Sequence, residues 1–208
     1  MCNLIHIEHG GSAIAQKTEG NPEGKGLNGF LLDWYESRPK GVISKPRRQL
    51  LAEFFTSMLV LSASFKYRPA IGTANYLYWT DNEWSLSLIG PDEWSAERRA
   101  GIAGTCRLQR DMTWTIVPSE LLVEDKPVSE AVARFYDGFA EMLNTDLTLE
   151  EILPFYVGGL RYYQRLYAGA LSRSMRTAVR LGDQTSSSCR MWRTLLPRRK
   201  NDLLSHRC

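Results

Sequence analysis

Apolar side chains recur every three or four positions in several stretches of the chain, which is the spacing of a helix with one buried face. This pattern predicts a helix over residues 46–65, with Ser44 as its cap and Pro46 in the first turn, where a proline is tolerated. A second helix is predicted over residues 128–143. A shorter helix, earlier in the chain, is indicated by Leu27, Phe30, Leu31 and Trp34.

A fourth helix is predicted over residues 148–172. Thr148 and Glu151 fit a capping box, in which each side chain accepts a hydrogen bond from the other residue's backbone N–H. Pro154 lies within the first turns, whereas Gly158 and Gly159 weaken the middle of the helix. We therefore expect one long helix with a kink or a close helix crossing near its centre.

Between the predicted helices over residues 46–65 and 128–143, the apolar period changes from 3.6 residues to two, which is the period of a β-strand. Alternating residues 76–79 are followed by the turn-forming residues 80–83 and by a second alternating run. This arrangement predicts a β-hairpin. The side chains expected to face the core from the second strand are Trp84, Leu86 and Leu88.

Two more strands are predicted near residues 105–109 and 113–117, after a short helical turn around residues 92–94. The fold class is therefore expected to be α+β, with a small antiparallel sheet over about residues 75–117 packed against several amphipathic helices.

The chain divides into three predicted segments. Residues 1–29 are rich in glycine and have little periodicity, so we interpret them as a flexible arm. Residues 30–180 are long enough for one core and short for two, which favours a single domain. Residues 181–208 have the composition of a linker with a basic end, and we expect a disordered tail.

Charge is distributed unevenly along the chain. Residues 1–160 carry 15 Lys and Arg against 21 Asp and Glu, while residues 161–208 carry 11 against 2. The body is therefore acidic and the tail basic. Arginines near Trp192 could hold phosphates while aromatic rings stack on bases, which makes RNA or DNA binding a second functional hypothesis. The candidate anion-binding residues are Arg190, Arg193, Arg198, Arg199 and Lys200.

Cysteine and histidine usage predicts an intracellular, cytoplasmic protein without a structural metal. The four cysteines form no C-x-x-C pair, which favours free thiols, and no apolar run is long enough to span a bilayer. All three histidines lie near the ends of the chain, so neither a metal site nor a cofactor is predicted. The cysteines are Cys2, Cys106, Cys189 and Cys208.

Carboxylates beside tryptophans suggest a third hypothesis, an enzyme. Asp92, Glu93 and Asp111 could gather near Trp94 and Trp114 and do acid/base work. The simpler interpretation is that two of them cap a short helix and the third turns a corner. We favour the simpler one and predict no catalytic residue.

Short motifs occur at intervals between residues 21 and 114: Asn-Pro-Glu-Gly-Lys-Gly at 21–26, Tyr-Leu-Tyr at 76–78, Ser-Leu-Ile at 87–89, Pro-Asp-Glu-Trp at 91–94, Leu-Gln at 108–109, Asp111 and Thr-Trp at 113–114. In these motifs the chain resembles the domain-of-unknown-function family numbered 2452, which has bacterial and animal members. The resemblance covers about residues 21–114 and implies no activity, because no catalytic residue is established for the family.

The density of aromatic residues in the hairpin region supports the preferred hypothesis. Tryptophan and tyrosine are enriched at the energetic centres of protein interfaces. We therefore expect a non-enzymatic binding module whose aromatic sheet edge receives a protein partner. The candidate partner-binding residues are Tyr76, Tyr78, Trp79 and Trp94.

Overall fold

A four-stranded antiparallel sheet forms one layer of the fold. The computed structural model describes residues 26–122, 125–154, 159–197 and 204. The spatial order of the strands is β2-β1-β3-β4, so two hairpins lie side by side. The strands are β1 (Ala74–Thr80), β2 (Glu83–Ser87), β3 (Ile102–Leu108) and β4 (Trp114–Pro118).

The first hairpin forms where the alternating pattern predicts it. Asp81 and Asn82 both have positive φ angles, 53° and 61°, which is the backbone of a tight turn that matches the twist of the strands. Trp84 and Leu86 are buried as expected. Leu88 is 53% exposed because β2 ends at Ser87, so its predicted place in the core is wrong.

Helices cover one face of this sheet. A 3-10 turn (Pro91–Glu93) lies at the predicted position, and a second one (Glu120–Leu122) follows β4. The α-helices of the described residues are α1 (Leu27–Glu36), α2 (Arg47–Ser62), α3 (Ala96–Ala100), α4 (Lys126–Met142), α5 (Leu149–Ile152), α6 (Tyr162–Leu181) and α7 (Cys189–Arg193). The predicted α+β class is confirmed.

Helix α2 lies at the centre of the core, between the sheet and helices α4 and α6. The backbone N–H of Trp114 in β4 donates to the Ser57 hydroxyl of α2 at 2.9 Å. The Phe54 and Phe55 rings of α2 meet Phe139 of α4 edge-on, at centroid distances of 5.4 and 5.3 Å. The sequence places this helix correctly, although Pro46 rather than Ser44 occupies its N-cap.

The helix predicted over residues 148–172 is wrong in its extent. The capping box of Thr148 and Glu151 is present, but α5 ends after one turn at Ile152. Leu153 has an extended backbone, ψ 143°, as expected for a residue that precedes a proline. The long helix α6 starts only at Tyr162 and continues beyond Ser172 to Leu181, so Pro154 separates two helices.

The predicted disordered tail is also wrong for residues 182–197. Helix α7 lies against the α4–α5 connection, where the N–H of Cys189 donates to the Leu147 carbonyl at 2.8 Å. Trp192 and Cys189 are completely buried, and Leu204 is buried as well. Composition suggested a linker, whereas these apolar side chains complete the core. The predicted arm lies mostly outside the described residues, and its last residues belong to α1.

Candidate protein-binding surface

Helix α1 is attached to the body through a carboxylate. Asp33 is the one buried residue of this fully described helix, 1% exposed. Its carboxylate accepts a hydrogen bond of 2.8 Å from the Tyr162 hydroxyl of α6 and lies 3.2 Å from a guanidinium nitrogen of Arg68. A buried carboxylate is costly unless it is paired, and these partners offset that cost.

The remaining surface of α1 is an apolar ridge open to water. Its side chains range from 36% to 71% exposed. A helix that faces the body with a polar residue and the solvent with leucines and aromatic rings reverses the usual amphipathic arrangement. We define the apolar ridge as Leu27, Phe30, Leu31, Leu32, Trp34 and Tyr35.

Two arginines flank the aromatic end of the ridge. The guanidinium carbon of Arg173 lies 3.8 Å from the Trp34 ring centroid, and that of Arg38 lies 4.8 Å from the Tyr35 ring centroid. Arg173 also donates to the backbone carbonyl of Ser37 at 3.2 Å. Burial lowers the pKa of Arg173, and the neighbouring charge of Arg38 lowers it further.

A hollow of about 260 Å³ opens at the C-terminal end of α1. Its apolar wall includes Ile71, Leu108 and Met112, while Glu36 and Arg68 contribute charge. The hollow lies at the end of the helix that carries the ridge and has room for one or two side chains.

The four aromatic residues predicted to bind a partner are more buried than an open sheet edge requires. Tyr78 is completely buried, its hydroxyl donates to the Ile89 carbonyl at 3.1 Å, and burial raises its pKa to about 12. The half-buried Trp94 meets the Tyr78 ring edge-on at 6.5 Å, and the Arg98 guanidinium carbon lies 4.0 Å from the Trp94 centroid. An open aromatic edge is not formed by this pair.

The other two predicted aromatics are half-buried. The Trp79 ring packs on Trp84 at 4.9 Å, and the Arg134 guanidinium carbon lies 5.5 Å from its centroid. Tyr76 lies so close to Gly90 that a β-carbon there would be 3.4 Å from the tyrosine ring. These rings consolidate the hairpin and its following loop more than they present a surface.

The basic residues of the tail are only partly described. Arg190 lies on α7 and forms an ion pair of 3.4 Å with Asp146. Arg193 is exposed on the same short helix, while Trp192, the ring expected to stack on a base, is fully buried. Arg198, Arg199 and Lys200 lie outside the described residues. Nucleic-acid binding through the tail stays a prediction.

The candidate catalytic carboxylates have separate roles. Asp111 is buried next to Lys45, whose ammonium group donates to Asp111 and to Glu53 at 2.6 Å each. Asp92 is almost fully exposed and lies 3.5 Å from Arg99, while Glu93 accepts a hydrogen bond from the Gly90 N–H. The structure thus favours the simpler interpretation of turns and caps.

The described cysteines, Cys106 and Cys189, are free thiols, as predicted, and both are buried. Burial raises the pKa of Cys106, and burial together with the charge of Glu151 raises the pKa of Cys189 to about 11. Thiolates, which are the reactive form, are therefore scarce at neutral pH. No cluster of three potential metal ligands occurs among the described residues, nor does any helix there have the length and apolar composition of a membrane span.

Sequence reasoning predicted helix α1 but missed that its apolar residues face water. The signal was present, because Leu31-Leu32 and Trp34-Tyr35 are adjacent pairs. Neighbouring residues on a helix point about 100° apart, so packing one face cannot cover them all.

Comparisons of the chain with protein-family models, with curated proteins and with solved structures find no match. The resemblance to family 2452 stays a prediction.

Proposed function

We propose that the protein is a non-enzymatic interaction module that binds an apolar segment of another protein through the apolar ridge on α1. The observation that carries this proposal is the orientation of α1, which buries Asp33 and leaves six large apolar side chains in water. Contiguous exposed apolar patches mark interaction sites in folded proteins.

The composition of the ridge also supports binding. Covering one leucine or aromatic side chain completely contributes about 1.5–3 kcal/mol before the costs of association. Trp34, Tyr35 and the adjacent arginines belong to the residue types that dominate measured binding energies. A few such residues next to a hollow are enough for a specific contact.

A protein segment suits this surface better than a lipid bilayer does. The hollow beside α1 can be filled by side chains, whereas the surface of a bilayer has no such projection. A second copy of the chain is also disfavoured, because Arg38 and Arg173 beside the two ridges would repel each other.

A random peptide display library, selected against the full-length protein, tests the proposal. The ridge variant is Leu31→Ser combined with Tyr35→Ser, and the matched control is Val117→Ser, which removes an apolar side chain that is 68% exposed on β4. We expect apolar peptides to be enriched on the wild type and the control. Their affinity for the ridge variant should fall by about tenfold or more, as the lost burial requires.

Three results would contradict the proposal. Selected peptides could bind the ridge variant as tightly as the wild type. Phosphatidylcholine–phosphatidylserine vesicles could bind through the ridge while no peptide is enriched. Sedimentation velocity could show a dimer that the ridge variant abolishes, which would assign the ridge to a second copy.

Unfolding in urea tests whether the ridge is open to water in the folded chain. Exposed side chains can be replaced with a change of about 0.5 kcal/mol or less, whereas removing a buried leucine costs about 2–5 kcal/mol. We expect the small change for Leu31→Ser. A large loss of stability would contradict the proposal.

A further inference from the structure

The arginine pair beside the ridge has no carboxylate partner among the described residues. Arg38 and Arg173 form cation–π contacts with Tyr35 and Trp34, and Arg173 donates to two oxygens of Ser37, both uncharged. The buried Nε of Arg173 has no hydrogen-bond partner within the same residues. By contrast, Arg68, which lines the hollow, is paired with both Asp33 and Glu36.

Two neighbouring guanidinium groups without a counter-charge repel each other. An arriving carboxylate removes that repulsion and can accept two parallel hydrogen bonds from a planar guanidinium. The aromatic rings beneath the pair restrict the orientation of the guanidinium planes, so less entropy is lost when an anion binds.

We infer that the partner segment carries an aspartate or glutamate whose carboxylate binds the Arg38–Arg173 pair, next to apolar side chains that cover the ridge. This inference rests on the proposed function and specifies its ligand, an acidic and apolar peptide. The apolar contacts supply most of the affinity, and the carboxylate fixes the register of the segment on α1.

A double-mutant cycle tests the carboxylate. The probes are peptides recovered from the random library and their variants with one Glu→Gln or Asp→Asn change. Each peptide is titrated against the wild type and Arg38→Gln. The control is Arg98→Gln, which removes an arginine stacked on a different aromatic ring, that of Trp94, far from α1 in sequence.

We expect removal of the carboxylate to weaken binding to the wild type and to Arg98→Gln by about tenfold or more. The same peptide change should have little effect on binding to Arg38→Gln. Because Arg38 is exposed and its substitution leaves α1 attached through Asp33, unchanged thermal melts will show that folding is intact. A peptide with lysine in place of the acid should bind Arg38→Glu more tightly than the wild type does.

Failure of this inference differs from failure of the proposed function. The selected peptides could depend on the ridge without a preference for an acidic residue, or removal of the acid could weaken binding to Arg38→Gln and to the wild type equally. Either result would contradict the proposed carboxylate contact and leave the proposed binding module in place. If no peptide depends on the ridge, both proposals are overturned together.

Discussion

The Tyr162 hydroxyl donates a hydrogen bond of 2.8 Å to the Asp33 carboxylate across 129 positions of sequence. Both residues are buried, and Asp33 is the only residue through which α1 inserts into the body. A ten-residue helix is marginal in isolation, so its position depends on such tertiary contacts. Together with the ion pairs of Arg68 with Asp33 and Glu36 and the contact of Arg173 with Trp34, this hydrogen bond holds α1 with its apolar side facing water.

Asp33→Ala should lower the free energy of unfolding by about 1–3 kcal/mol, because the buried Tyr162 hydroxyl and the Arg68 guanidinium lose a charged acceptor. Urea denaturation measures the change. Asn28→Ala, on the exposed side of the same helix, is the control and should stay within about 0.5 kcal/mol. An equal effect of the two substitutions would show that Asp33 does not attach the helix.

Trp192→Ala should lower the free energy of unfolding by about 3–5 kcal/mol, because it empties a buried site of the size of an indole. Met191→Ala, at the neighbouring exposed position, should change it by about 0.5 kcal/mol or less. Thermal or urea unfolding distinguishes the pair. If this segment were disordered, the two substitutions would have the same small effect on the free energy of unfolding.

Gly104→Ala should destabilise the sheet by about 1–3 kcal/mol, since a β-carbon at this position in β3 would lie 2.4 Å from the Val117 carbonyl oxygen of β4. The same substitution at Gly138 of α4 meets open space and should stabilise the protein by about 0.5–1 kcal/mol. Opposite shifts of the melting temperature are expected. An unchanged or raised melting temperature for Gly104→Ala would contradict the close strand approach.

Asp111 should make stability fall in acid. Burial alone raises its pKa, but hydrogen bonds from Lys45 and Thr113 outweigh burial and lower the pKa below the ordinary value of 3.8. A carboxyl whose pKa is lowered by folding stabilises the protein above its unfolded pKa, and this contribution is lost as the pH falls through the folded pKa.

The measurement for Asp111 is the free energy of unfolding between about pH 2 and pH 7, in the wild type and in Asp111→Asn. The variant should be less stable at neutral pH and should lose less stability on acidification. Asp92→Asn, an exposed carboxylate, is the control and should follow the wild-type curve. Parallel acid curves for the wild type and Asp111→Asn would refute the assignment.

Periodicity was sufficient to predict most of the fold because it reports which faces must be buried. The hairpin turn at Asp81 and Asn82 and the central helix α2 both follow from it. It could not separate α5 from α6, since apolar residues continue across Pro154, whereas the proline restricts the backbone of Leu153 and α5 ends there.

The candidate site was less predictable than the fold. Aromatic density pointed to Tyr78, but composition does not say whether a ring lies inside the protein or on its surface. The arginine pair depends on Arg173 in α6 approaching Trp34 in α1, a contact between distant positions that no local pattern encodes.

The burial of Trp192 has a consequence for the order of events during synthesis. Translation proceeds from the amino end, so the sheet, α2, α4 and α6 are synthesised before Trp192. Until then a nascent chain has an interior that lacks one of its largest side chains, and incompletely closed interiors are prone to aggregate. The growing polypeptide thus depends on a late-made segment to close its interior against water.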